Sequence, residues 1–349
     1  MSVAAILGAG VMGSAMCMPL ADRGHTVRLT GTHLDEMIIE SVRANGLHPK
    51  LNVTLPKQIA PFQHVAFAEA ASGADLIVLG VSSAGIGWAI DRLCDVLPGP
   101  VPILMITKGM HPQTDTLHAL PDYVERELKR RRGFDAKVSA IAGPCIAGEL
   151  GARRHTGTVI VSRDMSEAQR LAEMLKTEYY HPRASEDMMG VELNAAFKNF
   201  FAIAVGWAAG RLETLPPAEN RAFNHNAAAI VFSQAIKELA MLTRALGGRE
   251  DTAYGMPGAG DLYVTCMAGR NSRLGNNLGR GLTYKQTKDG PMKGDTIEGA
   301  ELGAAVAVSL RSMMDSGLLK QEELPLTVAL LDALTRDAPL DIPFARLHP

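Results

Sequence analysis

The sequence predicts an α/β domain over residues 1–188 followed by an all-helical domain over residues 189–340. Three observations carry this. Short apolar runs in the first half alternate with helix-like stretches, the pattern of strands buried on both faces of a parallel sheet. A glycine-rich turn stands between the first such run and the first helix-like stretch. After about Met188 the strand signals fade and long apolar helical stretches take over.

Val3 to Leu7 reads as the first buried strand, and Gly8-Ala9-Gly10-Val11-Met12-Gly13 follows at once. A helix then runs to about Asp22, where Gly24 stops it, with Pro19 expected to kink it by removing one hydrogen bond. His25 to Thr30 is the next strand. Strand, glycine turn, helix and strand are the context a dinucleotide fingerprint requires. The competing reading is a glycine turn in another doubly wound sheet. Gly8 permits a tight turn, Gly10 lets the backbone approach a pyrophosphate, and Gly13 lets the helix sit close to its strand. The helix N-terminus at Val11 and Met12 offers free N–H groups to phosphates.

Asp75–Val81, Pro102–Ile106, Lys137–Ala142 and Thr156–Ser162 read as further strands. Ligands of open α/β sheets sit beyond the carboxyl ends of strands. That expectation gathers Ser82, Ser83, Lys108 and Gly143 around one crevice. In the second half, Val191–Gly210, Ala227–Leu246, Glu298–Met314 and Pro325–Arg336 read as helices. Between them lie a loop or lid over Leu212–Asn226 and a glycine-rich turn over Gly255–Gly260. Pro339–Pro349 reads as a loose tail.

Composition narrows the function. The 349 residues carry 35 Lys plus Arg against 37 Asp plus Glu, a net charge of -2, which gives no general pull on nucleic acid. Arg130-Arg131-Arg132 reads as the wet end of a helix. Cys17, Cys94, Cys145 and Cys266 show neither a disulfide framework nor a zinc spacing, so all four are read as reduced and the compartment as cytoplasmic. No basic leader is visible, and the apolar stretches are too short for a bilayer, so no membrane partner is expected. No histidine forms a metal signature, and no metal is expected; His25 and His48 are read as structural or surface groups.

Lys198 is the informative residue of the second half. Its neighbours Ala195, Ala196, Phe197, Phe200 and Phe201 are apolar, and Asn194 shares its helix face. Burial depresses a lysine's pKa toward the range useful for proton transfer. The alternative is a lysine snorkelling from a core helix to solvent. Asp261 is either a helix cap or a charge partner for that lysine. Arg270-Asn271-Ser272-Arg273 is either a phosphate-binding fork or a solvated loop. Cys145 is a weak nucleophile candidate, since the sequence places no histidine to activate it.

Gly8-Ala9-Gly10-Val11-Met12-Gly13-Ser14-Ala15, Lys108-Gly109, Gly143-Pro144, Lys198-Asn199, Gly258-Ala259-Gly260-Asp261-Leu262 with Thr265-Cys266, Arg270-Asn271 and Ile297-Glu298-Gly299 occur in this order. Jointly they resemble the NAD(P)-dependent glycerol-3-phosphate dehydrogenase family, from about Ala5 to Leu334. The resemblance implies an α/β Rossmann-like N-terminal domain followed by an all-helical C-terminal domain, with the site between them. It implies Lys198 as proton donor or acceptor, Lys108 beside it holding substrate, and Asp261, Asn199 and Thr265 in the same cluster. It implies Arg270 and Asn271 at a phosphate. For the cofactor, NADP or NAD, it implies Gly8, Gly10, Val11, Met12, Gly13, Ser82, Lys108, Ala147, Arg270 and Glu298. A phosphorylated small-molecule substrate and a homodimer are implied as well.

The expected reaction is reversible hydride transfer between NAD(P)H and dihydroxyacetone phosphate, giving sn-glycerol 3-phosphate. Cys145, Ala228 and Gln234 depart from the family pattern and motivate a rival substrate, another phosphorylated ketose or polyol such as a four-carbon ketose phosphate. More distant readings are a 2- or 3-hydroxy-acid dehydrogenase and a dinucleotide-sensing regulator. At the end of the second strand, Arg28-Leu29-Thr30-Gly31-Thr32-His33 holds no carboxylate. Thr30, Thr32 and His33 are candidates for a 2′-phosphate and Asp35 for a ribose, a balance that leans to NADP.

Overall fold

A computed structural model describes residues 1–216, 223–267 and 269–347. The chain divides into two units, Met1–Lys108 with Ala119–Met188, and Gly109–His118 with Met189–Pro349. The sequence reading kept 109–118 with the first region. The structure puts this segment in the second unit because Met110 and Leu117 are buried in the helical core there.

The first unit runs β1 (Val3–Leu7), α1 (Val11–Ala15), α2 (Cys17–Asp22), β2 (Thr26–Thr30), α3 (Glu36–Asn45), the short pair β3 (Leu47–His48) and β4 (Val53–Thr54), then β5 (Ile59–Phe62), α4 (Phe67–Ala71), β6 (Leu76–Leu79), α5 (Ile86–Val96) and β7 (Ile103–Met105). The segment that belongs to the second unit carries β8 (Met110–Pro112) and β9 (Leu117–Ala119). The first unit resumes with α6 (Leu120–Arg132), β10 (Val138–Ala142), α7 (Ala147–Gly151), β11 (Thr156–Val161), α8 (Met165–Leu175) and β12 (Tyr180–Ser185).

Among the described residues eight of these strands form one sheet in the order β12-β11-β10-β7-β6-β1-β2-β5, and β3–β4 and β8–β9 are separate two-stranded pairs. Within the eight-stranded sheet only the β10–β11 pairing is antiparallel. The chain leaves β1 toward β2 and β5 on one side and returns through β6 on the other, so the order reverses at β1. The expected strands are present; β5 and β12 are additional in this sheet, and the short pairs β3–β4 and β8–β9 are additional beside it. Both β5 and β12 carry a proline, Pro61 and Pro182, which is tolerated because both strands lie at sheet edges. The stretch expected to be one helix to about Asp22, kinked by Pro19, is two helices parted at Met16. Pro19 cannot donate to the carbonyl of Ala15, so the break falls one turn before it.

The second unit is helical: α9 (Met188–Thr214), α10 (His225–Ala245), α11 (Asp261–Met267), α12 (Arg270–Gly279), α13 (Tyr284–Asp289), α14 (Glu298–Asp315) and α15 (Pro325–Thr335). Residues 191–204 of α9 are buried on every side, with Phe197, Phe200 and Phe201 fully enclosed and Glu192, Asn194, Lys198 and Asn199 buried among them. The glycines of α9 and α12 let the two backbones touch. A Cβ on Gly210 would stand 1.9 Å from the Asn276 carbonyl oxygen, and one on Gly275 2.0 Å from that of Ile203.

The start of the Leu212–Asn226 loop is helical to Thr214; residues 217–222 lie outside the described residues. The tail is anchored rather than loose through Leu347: Leu340 and Ile342 are buried, and the Trp207 indole donates to the Leu340 carbonyl at 2.8 Å. No described helix is long and apolar enough to cross a membrane.

Candidate active site

In the first unit, strand register brings Gly31, Gly8 and Gly80 to the same level at the carboxyl ends of β2, β1 and β6. A Cβ on Gly13 would stand 2.1 Å from the Gly8 carbonyl oxygen, and one on Gly8 2.6 Å from that of Gly80. The α1 helix therefore lies directly on the sheet, as expected of Gly13. Gly80 is a third member of this contact that motif reading missed; its signal was the glycine closing an otherwise apolar strand. A Cβ on Gly10 meets nothing within 4 Å, so this backbone is open to an approaching group. Gly10 caps α1 without any side-chain bond, leaving the first N–H groups at Val11 and Met12 without a side-chain acceptor. This cradle fits a pyrophosphate.

The other first-unit candidates flank it. Ser82 is exposed at the end of β6, and Thr107 donates to the Val81 carbonyl at 2.7 Å, tying the β7 end to the β6 end. Lys108 follows, half-buried. Ala147 opens α7, and Cys145 stands 4.0 Å, sulfur to sulfur, from Met12. Two polar residues near the cradle are occupied. The Arg28 guanidinium donates to the Ala70 carbonyl at 3.1 Å and to that of Ser72. Asp35 accepts from Thr32 N–H and Oγ1, both at 2.8 Å.

In the second unit, four helices bring the remaining candidates together. Lys198 on α9 forms an ion pair with Asp261, the first residue of α11, and their side chains are 8% and 1% exposed. Of the two readings of Asp261, charge partner is the one realised. The glycine stretch before it is a π-helical turn, Met256–Gly260, running straight into α11, so Asp261 starts a helix and does not cap one. Lys198 does not snorkel; its ammonium is buried beside a carboxylate. Thr265 donates from Oγ1 to the Asp261 carbonyl at 2.6 Å, holding the turn that carries the carboxylate. Burial pushes the Cys266 thiol up to about 12, with the nearby Lys198 charge acting the other way, so this thiol stays protonated.

One residue along, the Asn199 amide donates to Glu298 Oε2 at 3.1 Å and accepts from Asn271 Nδ2 at 3.1 Å. Asn271 Oδ1 accepts the Gly299 N–H at 2.9 Å, and Arg270 lies 3.7 Å from Glu298. Asn271 is buried with both ends of its amide engaged. The Arg270–Arg273 stretch is not a loop: it opens α12, with Ser272 donating to the Thr265 carbonyl at 3.0 Å. Gly299 belongs to the Ile297-Glu298-Gly299 motif, and its reason is steric. A Cβ there would stand 2.2 Å from the Asn199 carbonyl oxygen, so α14 can meet α9 at this point only with glycine. A groove of about 990 Å³ lined by Phe232, Lys237, Met241, Arg244 and Tyr254 contains none of these residues. No cluster of three metal-ligating side chains occurs among the described residues.

A buried lysine–aspartate pair in one unit and a glycine-turn cradle in the other suit a nicotinamide-dependent oxidoreductase. Residues 3–168 match the NAD-dependent glycerol-3-phosphate dehydrogenase N-terminus, and residues 187–342 match the C-terminus of the same family. A protein of Archaeoglobus fulgidus named NADP(+)-dependent glycerol-3-phosphate dehydrogenase is 34% identical over 287 residues, 82% of this chain and 83% of that one.

The chain belongs to the NAD(P)-dependent glycerol-3-phosphate dehydrogenase family.

A glycerol-3-phosphate dehydrogenase [NAD(P)+] of Bacillus cytotoxicus is 29% identical over 331 residues, covering 94% of this chain and 90% of that one. The crystal structure of glycerol-3-phosphate dehydrogenase from Coxiella burnetii aligns with a TM-score of 0.78 at 25% identity, over 97% of this chain and 96% of that one. The Plasmodium falciparum enzyme reaches 0.82 at 17% identity, over 99% and 94%, which speaks for the fold alone. The family member described here is thus an NAD(P)-dependent oxidoreductase acting on a CH–OH group, with the expected Rossmann-like domain followed by an all-helical one.

Proposed function

We propose that this enzyme interconverts dihydroxyacetone phosphate and sn-glycerol 3-phosphate, with Lys198 as general acid and base. The single observation that carries the proposal is the buried Lys198–Asp261 pair, enclosed by α9 and α11 and braced by Thr265. A buried charge pair that contributes little to stability and is kept on a rigid helix points to chemistry. The nicotinamide supplies or accepts the hydride. Lys198 gives its proton to the alkoxide oxygen in reduction and takes the hydroxyl proton in oxidation. Asp261 keeps the ammonium aimed and charged until the proton is delivered, after which the lysine is a neutral amine. Lys108 adds positive charge at the developing alkoxide. Arg270 takes a phosphate oxygen, its planar fork being suited to that geometry. Asn199, Asn271 and Glu298 tie the middle of α9, which carries Lys198, to the first turns of α12 and α14.

The rival four-carbon ketose phosphate loses part of its motivation. Gln234 is buried and donates to Glu238 at 3.0 Å, and Ala228 packs against the helical core. Both departures are explained by packing inside the second unit. The reading includes a reducing, cytoplasmic setting, supported by four free cysteines. It also includes a homodimer, which sedimentation of the purified protein tests.

The deciding experiment follows nicotinamide absorbance with NADH and NADPH over a panel of dihydroxyacetone phosphate, four-carbon ketose phosphates and unphosphorylated controls. Efficient turnover of dihydroxyacetone phosphate is expected. Silence there with turnover of a longer phosphate would overturn the substrate assignment and leave the reaction class standing.

A further inference from the structure

Asp35 is the carboxylate that follows the second strand, the place where a ribose acceptor is expected in an NAD-preferring site. The structure gives it other work. Asp35 is buried, 8% exposed, and its Oδ2 accepts from the Ala9 N–H at 3.3 Å as well as from Thr32. Ala9 lies inside the glycine turn. The carbonyl of the same residue is held from another direction: His48 Nε2 lies 2.9 Å from the Ala9 oxygen. The proton on that ring can be placed. The Leu51 N–H donates to His48 Nδ1 at 2.9 Å, so Nδ1 is the acceptor and Nε2 carries the hydrogen given to Ala9. His48 is fully buried on the β3–β4 pair, an insertion between α3 and β5 whose purpose the sheet itself does not explain.

We infer that Asp35 and His48 are positioning residues that grip Ala9 by its N–H and its carbonyl, setting the glycine turn in the shape that receives the dinucleotide phosphates. Asp35 does not read the ribose. With Arg28 also spent on backbone carbonyls and the Thr32 hydroxyl on Asp35, cofactor choice at this end of the sheet falls to His33. His33 is exposed there, its ring edge-on to Trp88 at 5.8 Å between centroids. The inference concerns the dinucleotide alone and stands or falls independently of the substrate.

Equilibrium titration of the full chain with NAD+, NADP+ and ADP, without substrate, tests it. Asp35→Ala and His48→Leu are each expected to weaken all three ligands by a common factor of about 3–10, the worth of one hydrogen bond. The NADP+/NAD+ ratio then stays at its wild-type value. Asp35→Asn, which keeps an acceptor oxygen, and His48→Gln, which keeps a donor at the Nε2 position, restore most of the loss. A structural role alone would lower the melting temperature without moving these affinities. If Asp35→Ala weakens NAD+ while NADP+ is held or tightened, Asp35 is a ribose ligand and the inference is overturned. Unchanged affinities in a folded His48→Leu overturn the His48 half. If His48→Leu does not fold, affinities of His48→Gln that fall selectively for one dinucleotide do the same.

Discussion

Replacing Asp261 by Asn removes the carboxylate beside Lys198 and leaves an ammonium 8% exposed within the helical unit. Breaking a buried ion pair from one side costs about 3–5 kcal/mol, because the remaining charge keeps its desolvation penalty. The lysine has one escape, which is to lose its proton. From an ordinary value of about 10.4, that costs about 4.6 kcal/mol at pH 7, at about 1.4 kcal/mol per pH unit. The escape therefore sets a ceiling of the same size as the penalty at pH 7. At pH 9 the ceiling falls to about 2 kcal/mol by the same arithmetic. Asp261→Asn should thus cost about 3–5 kcal/mol at pH 7, or roughly 6–20 °C in the helical transition, and about 2 kcal/mol at pH 9. Lys198→Met leaves a buried carboxylate and is expected to cost a similar amount at pH 7. The double variant removes both charges and should recover at least about 2 kcal/mol relative to the sum of the singles. Denaturant unfolding of the four proteins at both pH values measures this. Additive singles, or an Asp261→Asn penalty that does not shrink at pH 9, would refute the buried-pair reasoning.

Other expectations follow from the same geometry. Gly13→Ala puts a methyl 2.1 Å from the Gly8 carbonyl oxygen, so α1 must lift from the sheet. A loss of about 1–3 kcal/mol and of dinucleotide binding is expected, by unfolding and calorimetry; wild-type affinity would contradict it. Gly299→Ala pushes α14 off α9 at Asn199, and turnover is expected to fall while dinucleotide affinity is largely kept. Burial raises the Glu238 carboxyl to about 7, against the bonds it accepts from Thr327, Gln234 and Leu326. The folded state therefore binds the extra proton between the ordinary 4.5 and about 7. This stabilisation is present below 4.5 and is lost as pH rises through 7. Unfolding at pH 5 to 8 should lose a few kcal/mol that Glu238→Gln no longer loses; equal slopes in the two proteins would refute it.

Much of the fold was legible because its signals are local. Buried parallel strands read as apolar runs, and the glycine turn after β1 states its own geometry. Of the main sheet's strands, β5 and β12 were not legible: they hide behind Pro61 and Pro182, which argue against a strand until one knows it lies at an edge. The break at Met16 and the π turn before Asp261 depend on how neighbouring residues satisfy their backbone bonds, which periodicity does not record. In the site, residue types were readable but partners were not. Lys198 and Asp261 stood 63 positions apart with two readings each, and the packing of α9 against α11 decided between them. Asp35 reads in sequence as a ribose candidate; only its bonds to Ala9 and Thr32 reveal a carboxylate turned inward. The sequence reading had set His48 among structural or surface groups, and its bond to Ala9 specifies what it supports.

The central claim is that Lys198 moves the proton. Its most direct test is kcat of Lys198→Ala with dihydroxyacetone phosphate, on protein whose NADPH affinity has been measured in parallel. A fall of about 100-fold or more with cofactor affinity unchanged is the predicted result. Near-wild-type turnover by the variant would contradict the account.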